Sequence, residues 1–333
     1  MKKALALLVT LLIVGSVFAG GSSDAGAAPG AASGKKNWVV GFSQIGSESE
    51  WRTANTISVQ NAFNEDSSFT LIYSDAQQKQ ENQIKALRTF IARKVDCIVF
   101  TALVETGYGT VLQEAANAKI PVIMIDRDVQ EADRHLRLTI MGSDFVKEGE
   151  KAGIWLADYL KAKGMDDGSK PINIVELQGT TGSAPAIDRK TGFATVLAKH
   201  PNWKITRSQT GNFTTSEGKA VMEAFLKADK GIQVLYAHND GMALGAIQAI
   251  KEAGLKPGKD IIIIGVDAVK GAFEAMVAGE MNASIECSPL LGPQAVQAVH
   301  DLRDGKTLPA RIWTIEGVYD QTNAAAALPT RQY

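Results

Sequence analysis

Polar side chains suited to recognition fall in five groups along the sequence, each directly after a short apolar run. The first is the stretch 44–52, which carries Glu48, Trp51 and Arg52. The second is Asp126-Arg127-Asp128, and the third is Gly179-Thr180-Thr181-Gly182-Ser183, leading into Asp188-Arg189-Lys190. The fourth is His238-Asn239-Asp240, and the fifth is Asp267 at the end of Gly265-Val266-Asp267. Carboxylates, guanidiniums and an amide converging from such positions form a planar, multidentate hydrogen-bonding set suited to hydroxyl groups. Trp51 adds a flat apolar face for the carbon side of a ring. The combination describes a pocket for a polyhydroxylated small molecule, a sugar above all, with Glu48, Trp51, Arg52, Asp126, Arg127, Arg189, Asn239 and Asp267 as the expected contacts.

Plainer roles compete for several of these residues. Ser49 precedes a helical pattern and suits an N-cap, as do Asn239 and Asp240. Asp126-Arg127, taken alone, reads more readily as a solvated strand-end ion pair than as a site. Asp188 is expected to support Arg189 rather than touch ligand. Asp267 ends an isoleucine-rich run, where an unpaired carboxylate is costly unless something polar meets it. What argues for a site is that all five groups stand at the ends of apolar runs.

Other chemistries fare less well. A hydrolase using Asp126 and Asp267, or Glu48, as an acid/base pair is permitted by residue type. No nucleophile elbow or phosphate loop accompanies it, since Gly107-Tyr108-Gly109 lacks a third glycine and Gly258-Lys259-Asp260 is no P-loop. Cys97 and Cys287 have no Cys/His cluster beside them, so two free thiols are expected and neither a metal nor a cofactor. His135, His200 and His300 stand in surface-like contexts, and His238 ends a strand with no evident partner. With 35 Lys+Arg against 36 Asp+Glu and a net charge of -1, the 333-residue chain has no basic excess with which to bind nucleic acid.

Stepping outward along the chain, ten β-branched or apolar runs alternate with amphipathic stretches: 38–43, 69–74, 95–101, 121–126, 138–142, 172–178, 203–208, 233–238, 261–267 and 283–287. Most are almost wholly apolar, as strands covered on both faces must be. Between them lie helical patterns such as 83–93, with Ile84, Leu87, Phe90 and Ile91 on one face, and 240–253, closed by Gly254. This alternation predicts α/β architecture with parallel sheets, and its length suits two sheets. A closed (β/α)8 barrel needs the same alternation. Polar clusters at strand ends in each half favour two open, doubly wound sheets, whose ligand crevice lies beyond the carboxyl ends of the strands.

The beginning of the chain reads as an address. Met1-Lys2-Lys3 is basic, 4–14 is an apolar run short for a bilayer, and Val17-Phe18-Ala19 fits a signal-peptidase site. A cleavable secretory signal over 1–19 is therefore expected, followed by a Gly/Ala/Ser-rich flexible leader over 20–36. Gly20-Gly21 stand where a lipoprotein would need cysteine.

Long local stretches resemble a known family. They are Val40-Gly41-Phe42-Ser43-Gln44, Gly46-Ser47-Glu48-Ser49 with Trp51-Arg52, the segment 77–86, Val175-Glu176-Leu177-Gln178-Gly179-Thr180, Ala186-Ile187-Asp188-Arg189-Lys190, Tyr236-Ala237-His238-Asn239-Asp240, and 245–260. Together they resemble the periplasmic sugar-binding proteins of ABC importers, the ribose- and galactose-binding type, and within it the galactofuranose-binding members. The resemblance implies two α/β lobes joined by a three-strand hinge, with an N-terminal lobe at 37–142 plus 288–315 and a C-terminal lobe at 143–287 plus 316–333. Glu48, Trp51, Arg52, Asp126 and Arg127 match ligand contacts of the first lobe, and Arg189, Asn239 and Asp267 those of the second. Phe213 matches an aromatic that stacks on sugar in ribose-type members. Cys287 stands where the ribose-type protein has glutamine, which argues against ribose. The implied role is capture of a monosaccharide, galactofuranose or a related hexose, without turnover, and its delivery to a membrane ABC permease by a periplasmic monomer. A sugar-responsive regulator core shares the fold, but it would need an N-terminal helix-turn-helix where the signal stands. A chemotaxis sensor is the other alternative.

Overall fold

The computed structural model describes residues 37–333; the signal and leader expected over 1–36 lie outside the described residues. Each of the ten expected strands is present. They are β1 (Trp38–Gln44), β2 (Phe69–Asp75), β3 (Cys97–Phe100), β4 (Val122–Ile125), β5 (Thr139–Gly142), β6 (Ile172–Gln178), β7 (Trp203–Thr210), β8 (Val234–Ala237), β9 (Ile262–Asp267) and β10 (Ala283–Glu286). Two short strands that the sequence reading missed follow, β11 (Arg311–Trp313) and β12 (Val318–Asp320). They form two open six-stranded sheets, β11-β5-β4-β3-β1-β2 and β12-β10-β9-β8-β6-β7. No barrel closes. The first five strands of each half share one winding order, so the same unit is built twice. Only the added edge strands differ: β11 runs parallel to β5, whereas β12 runs antiparallel to β10.

Among the described residues nine α-helices connect strands, α1 (Glu50–Glu65), α2 (Gln80–Ala92), α3 (Gly109–Asn117), α4 (Phe145–Ala162), α5 (Ala184–Leu197), α6 (Thr215–Ala228), α7 (Asp240–Glu252), α8 (Lys270–Val277) and α9 (Gly292–Arg303), and a 3-10 turn (Glu131–Leu136) joins β4 to β5. In the first sheet the strands point alternate residues to opposite faces. Ile98, Phe100, Val122 and Met124 meet Leu87 and Phe90 of α2 and Val111 and Leu112 of α3. Val40, Phe42, Val99, Ile123 and Ile125 meet Val59 and Phe63 of α1 and Ala295 and Val299 of α9. Burial on both faces explains the near-continuous apolar strands.

The chain crosses between sheets three times: after β5, after β10, and between β11 and β12. The crossovers lie side by side. The Glu316 carboxylate accepts from the Ser143 hydroxyl, from Ser288 N–H at 3.0 Å and from the Thr314 hydroxyl at 2.7 Å, so all three meet on one acid.

The second lobe depends on a close helix pair. A Cβ at Gly149 of α4 would stand 2.1 Å from the carbonyl oxygen of Arg189, and one at Gly192 of α5 would stand 2.0 Å from that of Val146. Both contacts are with backbone and cannot rotate away, so only glycine lets α4 and α5 touch. Gly149→Ala is expected to cost about 1–3 kcal/mol, read as a lower urea midpoint at unchanged slope.

Candidate functional site

Loops and helix starts at the carboxyl ends of the two sheets face each other. The lobes are in contact there, with Glu105 N–H donating to the Gly182 carbonyl at 3.0 Å. The narrow space between them is lined by Glu48, Ser49, Trp51, Arg52, Asp126, Arg127, Pro185, Arg189, Phe213, Asn239, Asp267 and Cys287. All eight residues singled out in the sequence are therefore brought together, joined by Phe213.

In the first lobe the site is an ion network. Ser49 caps α1 by accepting from Arg52 N–H at 3.1 Å, which fixes the first turn carrying Trp51 and Arg52. Arg52 lies between two carboxylates, 3.1 Å from Glu48 and 2.7 Å from Asp126. Glu48 also accepts from Gln78 at 2.7 Å. Arg127 lies 3.6 Å from Glu48, and its guanidinium stands 5.1 Å from the centre of the Phe213 ring across the cleft. Burial, with the Arg52 charge beside it, lowers Arg127 to about 10. Two donor atoms, Arg52 Nη1 and Arg127 Nε, are buried without a hydrogen-bond partner from the protein, a state proteins seldom leave unanswered. Trp51 has a second task. Its indole N–H donates to the Cys287 carbonyl at 2.6 Å, tying α1 to the second crossover.

In the second lobe Arg189 is the centre. It donates to Glu148 at 2.7 Å and to the His238 carbonyl at 2.5 Å, and lies 3.7 Å from Asp267. Burial opposes its charge, but Glu148 foremost and the neighbouring acids outweigh it and raise the guanidinium well above its ordinary value. Burial pushes Asp267 up, and Glu148 up to about 7. Asn239 is both cap and lining: it accepts from Met242 N–H at 3.0 Å and donates to the Phe213 carbonyl at 3.1 Å.

Backbone strain marks the same places. Asp126 (φ 60°) after β4 and Asp267 (φ 123°) ending β9 occupy equivalent positions of the two lobes, and both have positive φ. Phe213 is held at φ 64°, with its ring where a Cβ on Gly179 would stand, 1.8 Å from the ring carbon Cζ. Such conformations cost about 1–3 kcal/mol each and persist where the surroundings impose them.

Three expectations need correcting. Asp188 is not the support of Arg189; Glu148 is, reaching across the glycine contact of α4 and α5. His238 does have a partner, Glu176 at 3.1 Å, in a buried pair beneath the site. His300 is half-buried, 2.5 Å from Asp66 and packed on Phe69. Glu148 itself was missed because Lys147-Glu148-Gly149-Glu150-Lys151 reads as a solvated helix face. Cys97 and Cys287 are free and buried. Among the described residues, one trio of metal-binding types assembles, Glu148, Cys287 and Glu316. Glu316 already accepts three hydrogen bonds from the crossovers, and burial pushes the Cys287 thiol up and so keeps it protonated.

Comparison with known proteins agrees with this geometry. The model of the periplasmic binding protein domain matches residues 40–307. The galactofuranose-binding protein YtfQ of Escherichia coli is 48% identical over 305 residues, 91% of this chain and 91% of the relative. A Mycobacterium smegmatis structure in complex with β-D-fucofuranose superposes with a TM-score of 0.84 at 49% identity, covering 89% of this chain and 95% of that one. A protein of the arabinose ABC transporter from Shewanella sp. ANA-3, bound to α- and β-L-arabinofuranose, gives 0.82 at 50% identity, covering 88% and 95%. The chain belongs to the periplasmic binding protein family, in its two-lobed α/β form.

Two outcomes follow from the charges. Arg52→Ala leaves Glu48 and Asp126 facing each other and is expected to cost about 3–5 kcal/mol in denaturant unfolding. Asp240, buried beneath the site and accepting from Ser284 at 2.8 Å and from Val269 N–H at 3.1 Å, is pushed by burial from 3.8 up to about 7. A raised carboxyl stabilises the fold while protonated, and that contribution is lost as pH rises through about 7. Asp240→Asn should therefore flatten the decline of unfolding free energy between about pH 4 and pH 8, measured by urea titration at each pH; an undiminished decline would contradict this account of Asp240.

Proposed function

We propose that this chain is an extracytoplasmic solute-binding protein that captures a furanose-ring monosaccharide, galactofuranose or a related sugar, between its lobes and presents it to an ABC permease. The observation that carries this reading is that two arginines lining the cleft each keep a buried donor, Arg52 Nη1 and Arg127 Nε, without a hydrogen-bond acceptor from the protein. Sugar hydroxyls and ring oxygen are acceptors of the kind those donors lack. Relatives of nearly half-identical sequence bind galactofuranose, fucofuranose and arabinofuranose.

In this reading Glu48, Arg52, Asp126 and Arg127 hold the ligand from a first lobe at 37–142 plus 288–315. Arg189, Asn239 and Asp267 hold it from a second at 143–287 plus 316–333, while Trp51 and Phe213 supply apolar faces. Closure gains affinity because contacts from both lobes are available only together. Capture proceeds without turnover: Glu48 and Asp126 are both engaged by Arg52, so neither is poised as a base against the bound ring. The chain acts as a monomer exported by a signal at 1–19.

Calorimetric titration of the protein lacking residues 1–19, stripped by unfolding and refolding, tests the proposal against D-galactose, D-fucose, L-arabinose, D-ribose, D-glucose and myo-inositol. Saturable binding of the sugars that form suitable furanoses, weak ribose binding and unchanged sugar on recovery are expected. Arg189→Ala should weaken binding at least 100-fold, about 3 kcal/mol at the upper end for a charged hydrogen bond. No binding of any of these sugars by folded protein would overturn the proposal.

A further inference from the structure

Glu148 sits where the site and the crossovers meet. It lies in the first turn of α4, directly after the first crossover, and is 1% exposed. One carboxylate oxygen accepts from Arg189 Nε at 2.7 Å; the other, Oε1, is buried without a hydrogen-bond partner. Within 4.8 Å of its carboxylate stand the Cys287 thiol, from the second crossover, and the Glu316 carboxylate, from the third. The Ser143 hydroxyl, at the first crossover, lies 3.2 Å from the Cys287 sulfur and donates to Glu316. One acid thus pairs with the cleft arginine on one side and on the other lies within 4.8 Å of groups from the second and third connections, which Ser143 of the first bridges.

We propose that Glu148 is a positioning residue that couples capture at Arg189 to closure of the hinge, an inference that takes Arg189 as a ligand contact. Rotation of the lobes must change the spacing of residues 143, 287 and 316, because those segments join them. Glu148 is packed against that joint and cannot keep its place unless the joint is in the closed arrangement. When it does, its charge orients the guanidinium edge that faces the cleft.

The groups facing Glu148 determine how this coupling responds to pH. Arg189 of α5 favours its charge. Glu316, between β11 and β12, opposes it, as does Asp267 at the end of β9 whenever ionised, while the Cys287 thiol, kept protonated by burial, favours it as a hydrogen-bond donor. Lys151, one turn along α4, donates to the Glu316 backbone carbonyl at 3.0 Å. Burial is the strongest influence and brings Glu148 to about 7. Protonation near neutrality removes the ion pair with Arg189, so closure and affinity rise with pH across that range.

The test uses Lys85→Cys and Lys227→Cys, exposed positions on α2 and α6, labelled for interlobe distance measurement in a chain whose native cysteines are buried. Distances and calorimetric affinity for D-galactose and L-arabinose are recorded from pH 5.5 to 8.5 for the parent and for Glu148→Gln, Glu148→Asp and Cys287→Ser. In the parent, the closed fraction and affinity should rise several-fold between pH 6 and 8. Glu148→Gln should abolish that rise and weaken binding at least tenfold at pH 8, while Glu148→Asp keeps a displaced rise. A parent and Glu148→Gln with parallel profiles, differing at most in melting temperature, would overturn the inference. If the parent binds neither sugar, the ligand assignment fails, yet the sugar-free distances still decide the coupling: a pH-dependent closed fraction lost in Glu148→Gln upholds it, and identical distances refute it. Should Glu148→Gln fail to fold, Cys287→Ser and Glu148→Asp decide in its place: parent-like affinity and pH response in both refute the coupling.

Discussion

Three guanidinium groups, on Arg52, Arg127 and Arg189, are 2–3% exposed where the lobes meet. Keeping so much positive charge out of water dominates the design of this molecule. A buried cation without compensation costs several kcal/mol, and each of these is answered differently. Arg52 has two carboxylates of its own lobe, Arg189 has Glu148 beneath it, and Arg127 donates to the Leu103 carbonyl, has its carboxylates no nearer than 3.6 Å and holds its proton less tightly. The first lobe is therefore the more nearly self-compensated, and the second depends on a residue lodged against the crossovers.

Compensation of this kind demands backbone that delivers acids to exact strand ends without regard to comfort. Asp126 and Asp267 take positive φ at equivalent points of the two lobes, so the duplicated winding carries a duplicated strained turn. Phe213 pays a similar conformational cost and has a glycine opposite it. Strain in matched places on either side of a cleft fixes two carboxylates by the backbone itself, so little ordering of them remains to be done.

Much of this was legible in the residues, for physical reasons that can be stated. Strands covered on both faces must be apolar throughout, so runs such as Ile261 to Val266 announce themselves, and polar groups after them fall at sheet edges by construction. The three-residue strands β11 and β12 carry no such signal, because each gains its place from one neighbour in a sheet already formed. Glu148 was hidden among the lysines and glutamate of the first turn, although it lies on the same buried helix face as Phe145, Ala152, Leu156 and Leu160. Asp188, next to Arg189 in sequence, points off the helix in another direction, since adjacent helical residues do not share a face. The Glu176–His238 pair joins two neighbouring strands, and pairing across strands is not written in either one.

The edge strand β11 and helix α9 lie at residues 292–313, after the whole second sheet except its own edge. The first lobe therefore cannot be finished until about nine-tenths of the chain has been made, however early its first five strands appear. Helix α9 covers Phe63, Phe69 and Val99, so a nascent first lobe shows an open apolar face throughout synthesis of the second. Long-range closure of this kind is slow, because the entropy of a large loop is lost before its contacts form. The consequence is temporal: the same connections that join the two lobes make the first wait for a segment that follows nearly all of the second.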